Sequence, residues 1–247
     1  MKKDEFDKIN RLETTHWWYV GTREISFSIL SKFLPKKDGL KILDIGCGTG
    51  GNLKELNKLG NAFGIDVNEY AVKLCNENGS KCVVGDLKNL NLEKNAYDLI
   101  TLFDVINEID LSLVPKILND IKEGLSVNGV LVLREPAMKI AGGRHDLDVN
   151  IKFRLEKKEA VKLMEHAGFE ILRITYVNSF LFLPILIKRK VDFMLNKTPM
   201  SDVYEHGKFV NFLLLKTLRL EKYLLNYTSI PFGVSILIVV RKRRPAV

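Results

Sequence analysis

The stretch Lys41-Ile42-Leu43-Asp44-Ile45-Gly46-Cys47-Gly48-Thr49-Gly50-Gly51-Asn52 decides how the chain is read. An apolar run ends in four glycines within six residues: Gly46, Gly48, Gly50 and Gly51. Side chains are kept out of such a loop because something approaches its backbone closely. Two glycine spacings coincide in it. Gly46, Gly48 and Gly51 spell the G-x-G-x-x-G of dinucleotide loops. Gly46, Gly48 and Gly50 spell G-x-G-x-G. The rest of the chain has to decide between the two.

Working outward, short apolar runs alternate with helical patterns from Leu40 to the neighbourhood of Glu135. Leu40–Ile45 reads as a buried strand. Leu53 and Leu56 stand one helical turn apart, and Gly60 offers a stop for that helix. Ala62–Val67 is the next strand. Asn68 caps a helix with Ala71, Leu74 and Cys75 on one face, stopped by Gly79. Lys81–Val84 and Tyr97–Val105 are the third and fourth strands. Val114, Ile117, Leu118, Ile121 and Leu125 follow helical spacing, with Ser112 ahead of them and Pro115 in the first turn. Val130–Arg134 is a fifth strand. This rhythm means βαβ units: a parallel sheet with helices on both faces, whose ligands bind beyond the carboxyl ends of the strands.

Beyond Glu135 the rhythm changes. Arg154–Ala167 is a lysine-rich amphipathic helix closed by Gly168, and Phe169–Tyr176 is a sixth strand. Ser235–Arg241 is the last, followed by the basic tail Arg241–Arg244. Between these two strands, residues 181–233 read as a helical insertion. Residues 1–39 read as an N-terminal helical cap, and residues 40–247 as one α/β domain.

Bulk numbers bound the function. At 247 residues the chain buries one sizeable core. With 46% apolar and 28% charged residues it has an ordinary globular composition. Cys47, Cys75 and Cys82 show no C-x-x-C spacing, which argues against a structural metal and against a secreted disulfide framework. No apolar run follows the N-terminal lysines, and Phe180–Ile187 falls far short of the ~20 residues a spanning helix needs. A cytoplasmic protein is expected, with no metal. The net charge of +8 suits anionic partners, and it suits solubility equally.

Three acids separate the two glycine patterns. Asp66 ends the second strand, 20 residues after Gly46, and is common to both. Asp44 lies two residues before the first glycine, and Asp86 follows the third strand. A carboxylate at Asp44 repels a pyrophosphate docked on the helix N-terminus. It suits a cofactor that carries a sulfonium and an amino group.

These residues carry a family resemblance. LDIGCGTG, GIDVNEYAV, VGDLKNL, YDLITLFDVINEI and LSVNGVLVL, in that order, resemble the motifs of class I S-adenosylmethionine-dependent methyltransferases over roughly Leu40 to Glu135. The resemblance implies a Rossmann-like sheet of seven strands, the last antiparallel, and S-adenosyl-L-methionine as cofactor. It implies that Asp44, Gly46, Cys47, Gly48 and Gly50 line the methionine part, and that Asp66 accepts the ribose hydroxyls. Val67 flanks the adenine, Asp86 faces its amino group, and Leu87 lies beside it. Phe103, Asp104 and Asn107 close the pocket near the sulfonium. Cys47 is read as small, not as a nucleophile.

Methyl transfer aligns a donor sulfur, a methyl group and a nucleophile, and a general base is optional. Three residues are candidates for it: His145 past the fifth strand with Asp146 beside it, Glu108 after the fourth, and His16. His16 opens His16-Trp17-Trp18-Tyr19, with Arg23 following. That segment resembles an N-terminal His-x-Trp-aromatic motif of a microbial methyltransferase subgroup. It reads either as an aromatic face packed on the sheet edge or as a lid.

The Asn/Asp-Pro-Pro-aromatic sequence of enzymes that methylate base nitrogens is absent after the fourth strand, which disfavours nucleic acid. Phe180–Ile187 abuts Lys188-Arg189-Lys190. Lys208–Asn226 reads as a helix with a polar stripe of Lys208, Asn211, Arg219, Lys222 and Asn226. Both suit a lid, an interface between copies, or contact with an anionic membrane surface. The expected acceptor is a small or lipid- or glycan-linked molecule, methylated at oxygen or carbon. The rival readings are an RNA methyltransferase, a non-catalytic S-adenosylmethionine-binding protein and a nicotinamide-dependent dehydrogenase.

Overall fold

Strand β1, Leu40–Ile45, alternates its side chains between two cores. Leu40 and Ile42 face one apolar cluster and Leu43 and Ile45 the other, so both faces of the strand are covered. The computed structural model in which this is seen describes residues 3–143, 146, 150–195 and 206–243, with 192 and 193 by backbone alone.

Around β1 the chain builds a seven-stranded sheet. Its other strands are β2 (Gly60–Asp66), β3 (Cys82–Val84), β4 (Tyr97–Phe103), β5 (Leu125–Pro136), β6 (Phe169–Val177) and β7 (Ser235–Lys242). The spatial order is β3-β2-β1-β4-β5-β7-β6. All neighbours are parallel except β7, which runs antiparallel to both β5 and β6. The order reverses between β1 and β4, and a crevice opens there beyond the strands' carboxyl ends. This is the Rossmann-like methyltransferase fold, with the late antiparallel strand where the sequence predicts it.

The helices are α1 (Lys3–Leu12), α2 (Trp17–Leu30), α3 (Leu53–Leu56), α4 (Glu69–Glu77), α5 (Val114–Gly124), α6 (Lys157–His166), α7 (Phe182–Met194) and α8 (Lys208–Leu225). α2, α3, α4 and α8 contribute to the cluster on one face of the sheet; α5 and α6 cover the other. α7 and α8 fall in the predicted insertion. Among the described residues no helix is long and apolar enough to cross a membrane.

Several local readings are corrected. Gly60 does not stop a helix but opens β2, where a Cβ would lie 2.2 Å from the Leu40 carbonyl oxygen. α6 starts three residues later than Arg154. Leu155 instead bridges Ala137, and Glu156 and Glu159 form a capping box. The cysteines cluster although no C-x-x-C spacing announces it: Cys75 and Cys82 form a disulfide between α4 and β3, and the sulfurs of all three lie within 4.8 Å of one another.

Most of the polar stripe of α8 lies along α2, with Lys208 exposed beyond it. Glu24 of α2 pairs with Arg219 at 2.7 Å and with Lys222 at 2.8 Å. Asn211 accepts the Trp17 amide, and Asn226 bonds Ser28. Gly21 lets the two helices touch, since a Cβ there would meet Leu218 at 2.5 Å. Glu221, fully buried, accepts the amides of Ser179 and Phe180 and ties α8 to the start of α7.

Candidate active site

The glycine loop leaves β1 by folding back on β2. The amides of Gly46 and Cys47 both donate to the Ile65 carbonyl, at 2.7 and 3.1 Å. Gly46, Gly48 and Gly50 take φ values of +73°, +53° and +90°, which disfavour any side chain. Their neighbours differ. A Cβ on Gly46 would strike Val105 at 2.3 Å, one on Gly50 would meet Cys75 Sγ at 2.9 Å, and one on Gly51 would meet Glu13 Oε2 at 2.3 Å. A Cβ on Gly48 meets nothing within 4 Å, because this glycine faces an open cavity. So Gly50 and Gly51 are bare for reasons inside the protein, which is why two glycine patterns coincide.

The cavity measures about 460 Å³. Of the residues expected from sequence, Gly46, Cys47, Gly48, Asp66, Val67, Asp86, Leu87, Phe103, Asp104, Asn107 and Glu108 line it. Asp66 accepts the Gly48 amide on Oδ2 at 2.9 Å and the Asn68 amide on Oδ1 at 2.9 Å, which joins the loop to the end of β2. Val67, 68% exposed, forms the rim. Asp86 caps the short turn Leu87–Asn89 by accepting the Lys88 amide. Asp104, at φ +61°, pairs with Arg134, whose guanidinium lies 4.8 Å over the Phe103 ring.

Three expected residues lie elsewhere, and one is not described. Asp44 is beneath the loop, 1% exposed. Its Oδ1 accepts the Thr101 hydroxyl at 2.6 Å and its Oδ2 has no partner. Burial pushes its carboxyl up to about 7, with nearby Asp66 adding to the effect against the Thr101 hydrogen bond. Gly50 packs on Cys75, away from the cavity. His16 is no base in the cleft: it is buried, its Nδ1 caps α2 by accepting the Trp18 amide at 3.3 Å, and its ring stacks on His206. His145 lies outside the described residues. Burial raises the Cys47 thiol and keeps it protonated, in keeping with a residue that serves by being small.

The structure adds residues that the sequence did not single out. Glu13, just past α1, is 5% exposed and lines the cavity. Its Oε2 accepts the Thr49 hydroxyl at 2.8 Å, its Oε1 has no partner, and burial raises its pKa. Arg23 of α2 donates to the Glu13 carbonyl at 2.6 Å and to Asn52 at 3.2 Å. Glu135, fully buried at the end of β5, accepts the amides of Val105, Ile106 and Asn107 and the Asn107 side chain. Burial holds its carboxyl up at about 7, with Asp104 adding to the effect. It shapes the loop that carries Asn107 and Glu108. Glu108 faces the cavity with its pKa raised, burial being the main cause. A charged residue closing an apolar strand was the one sequence signal for Glu135; Glu13 had none.

These groups fit S-adenosylmethionine. Glu13 has an unsatisfied, buried acceptor oxygen beside the loop, and a cationic amino-acid end would meet it. Asp66 has lone pairs left for two ribose hydroxyls in addition to its two amides. Gly48 leaves bare backbone where the cofactor would lie.

A family model described as a methyltransferase domain matches residues 43–133. The chain is 34% identical over 159 residues to a probable cobalt-precorrin-6B C(15)-methyltransferase (decarboxylating) of Saccharolobus solfataricus, spanning 62% of this chain and 73% of that protein. Of two other curated relatives it spans about half the length. A SAM-dependent methyltransferase from Archaeoglobus fulgidus superposes with a TM-score of 0.60 at 18% identity, over 92% of this chain and 94% of that one. Phosphoethanolamine N-methyltransferase 2 of Haemonchus contortus, solved with S-adenosyl-L-methionine, gives 0.58 at 16%, over 89% and 52%.

Proposed function

Since the chain belongs to the class I S-adenosylmethionine-dependent methyltransferases, we propose that it methylates an oxygen or carbon nucleophile of a small or lipid-linked acceptor. The bound cofactor supplies an already activated methyl group. The chain's own residues bind, orient and exclude water. Glu13 holds the cofactor's amino-acid end and Asp66 its ribose. Glu135 fixes the loop after β4, and so fixes where Glu108 stands. Trp18 and Tyr19 of α2 line the same cavity and limit access of water to it. Positioning of this kind supplies about 7–11 kcal/mol of the barrier.

The observation that carries this reading is Glu108. Its carboxyl lies in the cavity with its pKa raised toward neutrality by burial. Such a group is suited to accept the proton of a hydroxyl or an activated carbon, a step worth ~10²–10⁴-fold. The acids Glu5, Glu13, Asp66, Asp86 and Glu108 around the cavity repel a phosphate backbone, which favours this acceptor class over RNA. Two arginines that line it, Arg134 and Arg154, are already paired, with Asp104 and Asp146.

The test is transfer of labelled methyl from S-adenosylmethionine into a metabolite and lipid extract. Glu108→Gln should lower turnover roughly 10²–10⁴-fold while leaving the cofactor's Kd unchanged. Labelling of RNA alone, or full turnover in Glu108→Gln, would overturn the proposal. Cofactor binding with no labelled product in any extract would favour a non-catalytic binding protein.

A further inference from the structure

The insertion before β7 shows its apolar side to water. α8 buries Leu218, Glu221 and Leu225 and turns its paired polar residues toward α2. On the opposite side Phe209, Phe212, Leu213, Leu220, Tyr223 and Leu224 are exposed, Phe209 by 73% and Tyr223 by 65%. At 100° per residue these fall in one stripe running the length of the helix, continued by Tyr227. α7 repeats the arrangement. Leu183, Ile187, Val191 and Met194 are exposed along one line, and Lys188 and Lys190 flank that line on its two sides. Arg189 points the other way, donates to the Ala141 carbonyl and lines the cavity.

We infer that the exposed stripes of α7 and α8 dock on the surface of an anionic phospholipid bilayer. Apolar surface this continuous requires a cover. Neither helix is long and apolar enough to span. An amphipathic helix lying in the interface buries its apolar stripe and keeps its lysines at the headgroups. The charge fits that environment: residues 181–233 hold eight lysines and arginines against four acids. Lys216 lies within the α8 stripe with its ammonium 5.3 Å over the Phe212 ring, and a long stem of this kind can reach the headgroups while the ring is buried. The Tyr223 and Tyr227 rings, 5.3 Å apart, suit the boundary between acyl chains and water. A second copy suits the surface less well, because a two-fold contact centred on the middle of the α8 stripe brings Lys216 against its own image.

Docking stands independently of the methyl-transfer reading. Its consequence rests on that reading: α7 touches the membrane on one side and the cavity on the other, so the acceptor would be drawn from the bilayer.

Co-sedimentation with vesicles of phosphatidylcholine, with and without phosphatidylglycerol, tests the inference. The intact chain should bind the anionic vesicles and release them as salt is raised. Ile187→Glu together with Leu220→Glu and Tyr223→Glu should weaken binding at least tenfold. Lys188→Gln, Lys190→Gln and Lys216→Gln should each weaken it roughly fivefold, on anionic vesicles only. All these side chains are exposed, and an unchanged thermal shift with S-adenosylhomocysteine certifies the fold. Absence of vesicle binding by the intact chain would overturn the inference, as would equal binding by the glutamate variant. So would a dimer, seen by light scattering, that the glutamate variant dissolves while vesicle binding persists. Vesicle binding without any S-adenosylhomocysteine binding would leave docking standing and remove the enzymatic reading.

Discussion

Asp66→Ala separates the two tasks of one carboxylate. In the ligand-free chain Asp66 accepts the Gly48 and Asn68 amides, both at 2.9 Å. Hydrogen bonds to a charged acceptor contribute about 1.5–3 kcal/mol each when shielded from water. Asp66 is half-exposed, and water replaces part of what is lost, so the ligand-free variant should lose about 1–2 kcal/mol. For a chain of this size that lowers Tm by roughly 2–4 °C per kcal/mol. Cofactor binding loses more. Two ribose hydroxyls donating to the same carboxylate, shielded once the cofactor covers the loop, are worth ~3–6 kcal/mol together. The Kd for S-adenosylhomocysteine should therefore rise roughly 10²–10⁴-fold. Isothermal titration gives the Kd and urea unfolding gives the stability, on the same preparation. A variant that is destabilised but binds within about threefold of the parent would show that Asp66 only pins the loop, and the placement of the ribose would be refuted.

Other consequences are as direct. Gly48→Ala should fold with a strain cost of about 1–2 kcal/mol at its positive φ, yet weaken cofactor binding, because its methyl occupies the cradle; calorimetry and unfolding read the two effects separately. Glu13→Gln should weaken S-adenosylmethionine roughly tenfold and leave adenosine binding unchanged, since adenosine lacks the cationic end. Asp44 and Glu135 both titrate near 7 in the fold, far above 3.8 and 4.5. The folded chain thus holds protons that the unfolded chain releases, and this stabilisation is present below about pH 4 and lost as pH rises through about 7. Unfolding free energy of the ligand-free protein should fall between about pH 4 and pH 7 and flatten in the Asp44→Asn/Glu135→Gln variant; a rise in the parent over that range would contradict the assignment.

What could be read in the sequence was what neighbours in the chain determine. Leu40–Ile45 and the glycines after it form one continuous unit, and Asp66 ends its strand while Asp86 follows its own, so spacing places them and the family resemblance supplies their expected roles. The Val114–Ile121 stripe needs only an apolar sheet to lie against. Gly60 was misread because its reason lies across the sheet, in the Leu40 backbone. Which face of α8 lies inside was not legible for a related cause. Periodicity shows that two faces differ, but Glu24, far earlier in the chain, decides which face is inside. Glu13 and Glu135 act through contacts 36 and about 30 residues away, with Thr49 and with the loop at 105–107. His16 looked chemical because histidine often is, whereas here its ring nitrogen serves as a helix cap.

The most direct measurement is a crystal structure of the chain with S-adenosylhomocysteine. The account requires the nucleoside in the crevice between β1 and β4, its ribose hydroxyls on the Asp66 carboxylate, its amino-acid end over Gly48 and beside Glu13. A crevice left empty at saturating ligand, or a nucleoside bound away from Asp66, would contradict it.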